Sequence, residues 1–126
     1  MMSKELNHTA DIMYELIGND IIELLEDLFD ALNKIFLPLV GGIENHFSYS
    51  ILNQDIDDIL FDIGNYSLNK IYEGFFPSKI EKIENEIKIY FSKIITIKSD
   101  IEVKAISYPK IISNDEKYIV NIIFDI

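Results

Sequence analysis

The sequence has 126 residues, 48% of them hydrophobic, and a formal net charge of −11. That length suggests one domain, residues 1–126, with a sizeable core, and the composition excludes a disordered tail. No cysteine is present, which excludes a disulfide framework, thiolate chemistry and cysteine-based zinc sites. All 11 basic residues are Lys; residues 1–72 carry 3 of them against 13 acids, and residues 73–126 carry 8 against 9. Arg is the side chain best suited to bidentate phosphate and guanine contacts. An acidic chain without it is a poor candidate for gripping nucleic acid directly. Cations or a basic protein surface are the expected partners, and the competing reading is that the acids simply solvate helix faces.

The opening residues, MMSKELNH, carry no apolar h-region. No apolar run approaches the ~20 residues of a membrane helix. The expectation is a cytoplasmic protein with no membrane segment. Residues 11–17 read as a short strand ending at Gly18-Asn19. Asp20 then opens a helix, with Glu23 placed to reach back as in a capping box. Ile21, Leu24, Leu25, Leu28, Leu32 and Ile35 form its core stripe, while Glu26, Asp27, Asp30 and Asn33 fall on the other side. Pro38 and Gly41-Gly42 are expected to stop it.

His46–Ile51 alternates polar and apolar residues, a strand with one wet face. Asp55 starts a second helix, with Ile56, Ile59, Leu60, Ile63 and Ile71 on one face. Gly64 sits inside it at a cost of about 1 kcal/mol against Ala, which a close helix-to-sheet contact would explain. After Gly74 the period changes to alternation. Strands are expected near 76–84, 87–97, 101–108 and 117–126, with turns at Asn85-Glu86, Ser99-Asp100 and Asn114-Asp115. Pro109 ends the third of these. The predicted class is α+β: a mostly antiparallel sheet with two amphipathic helices packed on it.

The last strand, Lys117–Ile126, is apolar on both faces toward its end, as in a central strand buried on both sides. An acid there, Asp125, would need compensation by a cation, a Lys or backbone N–H groups, unless that end is simply wet. Asp11, at the mouth of the first strand, poses the same problem. If the first and last strands pair, Asp11 and Asp125 converge. Together with a main-chain or terminal oxygen they make an oxygen-only site suited to Ca²⁺ or Mg²⁺ rather than zinc. His8 could join it, but a His beside one Asp is more often structural. No nucleophile–base constellation is evident, and Gly41-Gly42 alone is no phosphate loop.

Three motifs then carry a resemblance. They are His8-Thr9-Ala10-Asp11 before the first strand, Glu102-Val103-Lys104-Ala105-Ile106-Ser107-Tyr108, and Phe124-Asp125-Ile126 closing an apolar strand. In this order they resemble the archease family, protein cofactors of the RNA-splicing ligase that seals RNA through a guanylylated histidine. Gly18 followed by an acidic amphipathic helix fits the same pattern, and the resemblance spans essentially the whole chain. There are departures. Pro109 stands where the family has His, and Ser107 where it has Thr. The segment before Glu102 is shorter, and Phe61-Asp62-Ile63-Gly64-Asn65-Tyr66 replaces the family's wording in the second helix.

The resemblance implies an archease-like fold and a divalent cation, Ca²⁺ first with Mg²⁺ or Mn²⁺ as alternatives. Its ligands would be Asp11, Asp125 and a main-chain or terminal oxygen of Ile126. It implies a non-catalytic activator that promotes guanylylation and multiple turnover of the ligase in transfer-RNA splicing and RNA repair. Glu102 and Lys104 are further candidates for partner contact, beside the plainer reading of an exposed strand face with alternating charge. Two other classes remain open: a calcium-binding or chaperone-like adaptor, and a small metal-dependent hydrolase using Asp11 and Asp125, which lacks an evident nucleophile or base.

Overall fold

A computed structural model of the chain describes residues 4–6, 11–113 and 115–126. In chain order the elements are β1 (Lys4–Leu6), β2 (Ile12–Gly18), α1 (Ile21–Phe36), β3 (Pro38–Ser50), α2 (Ile56–Tyr72), β4 (Phe75–Ile83), β5 (Glu86–Ile97), β6 (Ala105–Ile106), β7 (Lys110–Ser113) and β8 (Tyr118–Asp125). The class is α+β, with antiparallel strands and two helices, as the sequence predicts. The strands divide into two sheets. One runs β1-β2-β8-β6, with β7 also on β8; the other runs β3-β5-β4. Helix α1 packs on β2 and β4, and α2 on β4 and β6, so each helix touches both sheets. One buried cluster joins Leu16, Val120, Ile122 and Phe124 of the first sheet, Ile87, Ile89 and Phe91 of the second, and the helix stripes. Among the described residues, no helix is long and apolar enough to cross a membrane.

Helix α1 starts as its residues dictate. Asp20 is extended, and its Oδ1 accepts from the Glu23 N–H at 2.9 Å. Glu23 reaches back to the Asn19 N–H at 2.9 Å, one residue earlier than in the usual box. Gly18 is required here, because a Cβ would lie 2.9 Å from the Leu24 nitrogen. The helix stops at Phe36 because Leu37 turns left-handed, φ 49°, and donates to the Asn33 carbonyl. Pro38 then begins a strand at once. Gly41-Gly42, expected to end the helix, lie inside β3, where the register against β5 shifts. With no Cβ and no strand propensity they mark bulges rather than a turn.

Asp27 departs from expectation. It is fully buried, not on the wet face of α1. Its Oδ2 accepts from the Ile17 N–H at 3.0 Å. The bond ties α1 to the backbone of β2. Oδ1 has no hydrogen bond among the described residues. Burial pushes the Asp27 carboxyl above its ordinary range and outweighs the opposing pull of the Ile17 amide; Asp30 adds to the rise.

In α2, Ile59, Leu60, Ile63 and Ile71 are buried as expected, and Leu68 joins them. The helix-to-sheet contact at Gly64 exists. A Cβ there would meet the Ile106 Cδ1 at 3.2 Å and the Leu28 Cδ2 at 3.4 Å. The expected strand over 101–108 shrinks to Ala105–Ile106, and Asn114 lies outside the described residues.

Two outcomes follow from these contacts. Asp27 favours its protonated form in the fold, so its contribution is full below the unfolded carboxyl's value, about pH 4, and is lost as pH rises through the raised folded value. Urea denaturation across pH 4–7 should therefore show wild type losing ground steadily to Asp27→Asn as pH rises; a flat difference contradicts the burial argument. Gly64→Ala should be close to neutral, since about 1 kcal/mol of helix propensity offsets crowding of Ile106. Gly64→Leu should cost on the order of 1–3 kcal/mol by overpacking, read from the same denaturation curves.

Candidate functional site

The ladder between β2 and β8 runs from Ile12 opposite Phe124 to Gly18 opposite Tyr118. Asp11 lies in a bend just before the first pair, and Asp125 follows it in β8. Asp125 and Ala105 are paired across β8 and β6, and Asp11 precedes the β2 end of the same row. Alternation turns this row away from Phe124, which is buried against the helices. The strand pairing expected from the sequence is present, and Asp11 and Asp125 flank the Ile12–Phe124 pair at its end.

The expected burial is not. Val120, Ile122 and Phe124 are buried, but Ile119, Asn121 and Ile123 on the reverse face are only half-buried. Asp11 is half-buried, and Asp125 and Ile126 are exposed. Among the described residues the reverse face of β8 carries no second layer of helix, so desolvation does not force a counter-ion onto Asp125. What this end offers is carboxylate oxygen, a hard donor, on exposed Asp125 and half-buried Asp11. That chemistry fits a divalent cation of the Ca²⁺ or Mg²⁺ kind. His8 lies outside the described residues.

Glu102 and Lys104 are exposed, but on an irregular segment rather than a strand face. The backbone of Lys104 is tied to the row: its N–H donates to the Asp125 carbonyl at 2.7 Å. Helix α2 holds this segment from the other side. The Tyr72 hydroxyl donates to the Val103 carbonyl and accepts from the Val103 N–H, both at 2.7 Å. The Asn65 side chain donates through Nδ2 to the Ile106 carbonyl and accepts through Oδ1 from the Ile106 N–H, both at 3.0 Å. The Tyr108 hydroxyl donates to Asp58 Oδ1. That bond holds the Tyr108 phenol proton and pushes its pKa well up; burial raises that of Tyr72, against the pull of the Val103 amide. Sequence reading passed over Tyr72 and Asn65. The one available signal was a polar Asn among the core-facing residues Ile63, Gly64 and Ser67.

A second group of acids lies elsewhere. The carboxylates of Asp55, Asp57 and Asp58 come within 4.8 Å of one another at the start of α2 and could hold a cation. Acids in a first helical turn are also favoured by the helix dipole alone. Two open clefts, of about 340 and 410 Å³, are lined by Glu26, Phe29 and Pro77–Ile80 and by Ser113, Asp115–Lys117 and Ile119, not by the row.

The fold defines a small acidic α+β protein of two helices and two antiparallel sheets among the described residues. Residues 4–126 match the model of the archease protein family, and the chain belongs to that family. It is 35% identical over 107 residues to the protein archease of Thermotoga maritima, covering 85% of this chain and 84% of that one. It is similar to a crystal structure from the same organism described as an archease, possible chaperone. There the TM-score is 0.83 at 29% identity, over 98% of this chain and 96% of the other. The solution structure of Methanobacterium thermoautotrophicum protein 1598 shares the fold, with a TM-score of 0.67 at 16% identity over 98% of each chain.

Because Asp125 is exposed and outside the core, Asp125→Ala should change folding stability by no more than about 0.5 kcal/mol in urea denaturation without added metal. A larger loss would mean that the carboxylate itself holds the sheet.

Proposed function

We propose that this chain is a non-catalytic protein cofactor of an RNA-splicing ligase, promoting guanylylation and multiple turnover of that enzyme in transfer-RNA splicing and RNA repair. It uses a divalent-cation site at Asp11 and Asp125, with a main-chain or terminal oxygen of Ile126. The observation that supports this reading is the β2–β8 pairing, whose terminal pair, Ile12 and Phe124, is flanked by the two acids of the archease-like motifs. Family membership supports the partner, and the acidic, Arg-free composition favours a protein partner over RNA itself. A bound cation would supply a hard Lewis-acidic point for oxygen ligands. Asp11 and Asp125 hold and orient it. Lys104, exposed beside them, adds a cationic contact for the partner, and Glu102 an acidic one.

The test is guanylylation of the cognate ligase by GTP, with and without this protein, under single- and multiple-turnover conditions. Stimulation should be present with wild type, and Asp11→Ala and Asp125→Ala should each abolish both stimulation and Ca²⁺ binding. Unchanged ligase turnover would overturn the activator reading. The printed description of the Thermotoga maritima crystal structure favours a second reading, a chaperone-like adaptor. That reading expects suppression of client aggregation with no effect on ligase turnover.

A further inference from the structure

The segment carrying Lys104 is poorly suited to hold itself in place. Strand β6 is two residues long, and β2 contributes no ladder pair beyond Ile12. The N–H groups of Lys104 and Ser107 face β8, donating to Asp125 and Ile123, while Val103 and Ile106 face α2. Two residues facing one way at a separation of three break the strict alternation of a strand. An irregular backbone cannot be satisfied on both sides by a ladder, and its outward N–H and C=O groups need other partners.

Tyr72 and Asn65 supply them. Each offers one donor and one acceptor to a single residue and so reproduces the pair of bonds that a neighbouring strand would make. The Asn65 amide is also fixed at its root, since Nδ2 donates to the Phe61 carbonyl at 3.1 Å. The Tyr72 ring packs edge-on against Phe36, with centroids 6.0 Å apart. Between these two clamps sits the 2.7 Å bond from Lys104 to the Asp125 carbonyl. The order of support is therefore α2, then Val103 and Ile106, then Lys104, then Asp125.

We infer that Tyr72 and Asn65 are positioning residues, which dock the Lys104 segment onto β8 and thereby set the Asp125 carboxylate for cation binding. This rests on the reading of Asp11 and Asp125 as a cation site. Without the clamps, the segment from Val103 to Ile106 samples other placements, and Asp125 loses the β6 neighbour on one side. The cost falls on the affinity of the row for metal more than on the core, because the Val103 and Ile106 side chains stay buried.

The experiment is a Ca²⁺ titration by calorimetry of the full chain as wild type, Tyr72→Phe, Asn65→Asp and Tyr49→Phe. Tyr72→Phe keeps the ring against Phe36 and removes the hydroxyl. Asn65→Asp keeps the acceptor for the Ile106 N–H and removes the donor. Tyr49→Phe is the control: it deletes an equivalent hydroxyl bond to α2, at Asp62, on the β3 side of the helix. Both clamp variants should weaken Ca²⁺ binding about tenfold, the scale of losing an outer-sphere support, and the control should not. Hydrogen exchange of the Lys104 amide should accelerate in the clamp variants alone. The two clamp variants fail independently, so loss of folding in one leaves the other to decide. Wild-type affinity in a folded clamp variant, or equal weakening in Tyr49→Phe, overturns the clamp. Absence of Ca²⁺ binding in wild type overturns the site reading itself, and the clamp with it.

Discussion

The β2–β8 ladder is the contact on which everything else depends. It pairs residues 12–18 with 118–124 and joins the first long strand of the chain to the last. Its register is held by the core rather than by the acids. Val120, Ile122 and Phe124 are each worth roughly 1.5–3 kcal/mol when fully buried. A slip of one residue would turn all three toward solvent. The same slip would carry Asp125 onto the core face, where an unpaired carboxylate costs several kcal/mol. Both terms act in the same direction, so the outward position of Asp125 comes from hydrophobic patterning and needs no ion to enforce it.

The other flank of β8 is built on a different principle. The segment 98–104 and the two-residue β6 bury only Val103 and Ile106 deeply, and the ladder there is too short to fix a register. Helix α2 does this through side chains: Tyr72 and Asn65 grip backbone, and Tyr108 is tied back to Asp58. Gly64 makes the approach possible, because Ile106 occupies the space that a Cβ would take. A helix propensity penalty of about 1 kcal/mol is thus exchanged for close contact between α2 and the segment that leads to Lys104.

These two principles explain what was legible in the sequence. Helix α1 could be read to within a residue, because its stripe, its Asp20 cap and Pro38 are local signals of one meaning. The pairing of β2 with β8 was legible because period-two alternation identifies both strands and pairing them is the simplest topology. Asp27 was not, because its burial answers a backbone amide of β2, a partner that no spacing within the helix reveals. Gly41-Gly42 was misread because a glycine pair signals a turn and a bulge equally well. Strand 101–108 was overextended because its sequence alternates at first, while its backbone, with Val103 and Ile106 both toward α2, is held by side chains of that helix, which no periodicity reveals. The exposure of Asp125 escaped for a related reason: Ile119 and Ile123 look like buried-face residues, yet they are only half-buried, and among the described residues no helix lies over them.

That exposure bears on how such a row could work. Ca²⁺ takes about six to eight oxygen ligands. Asp11, Asp125 and an oxygen of Ile126 fall short of that number unless the carboxylates bind bidentately and water fills the rest. A site enclosed in the core would hide those remaining positions. A row at the open end of a ladder presents them outward, where oxygen ligands of a docked protein can replace water. Lys104, carried to the edge of the same row by the α2 clamps, puts a positive charge beside this opening in a chain otherwise dominated by acids. An open coordination sphere flanked by one cation suits contact with a partner's oxygen groups better than it suits storage of the ion.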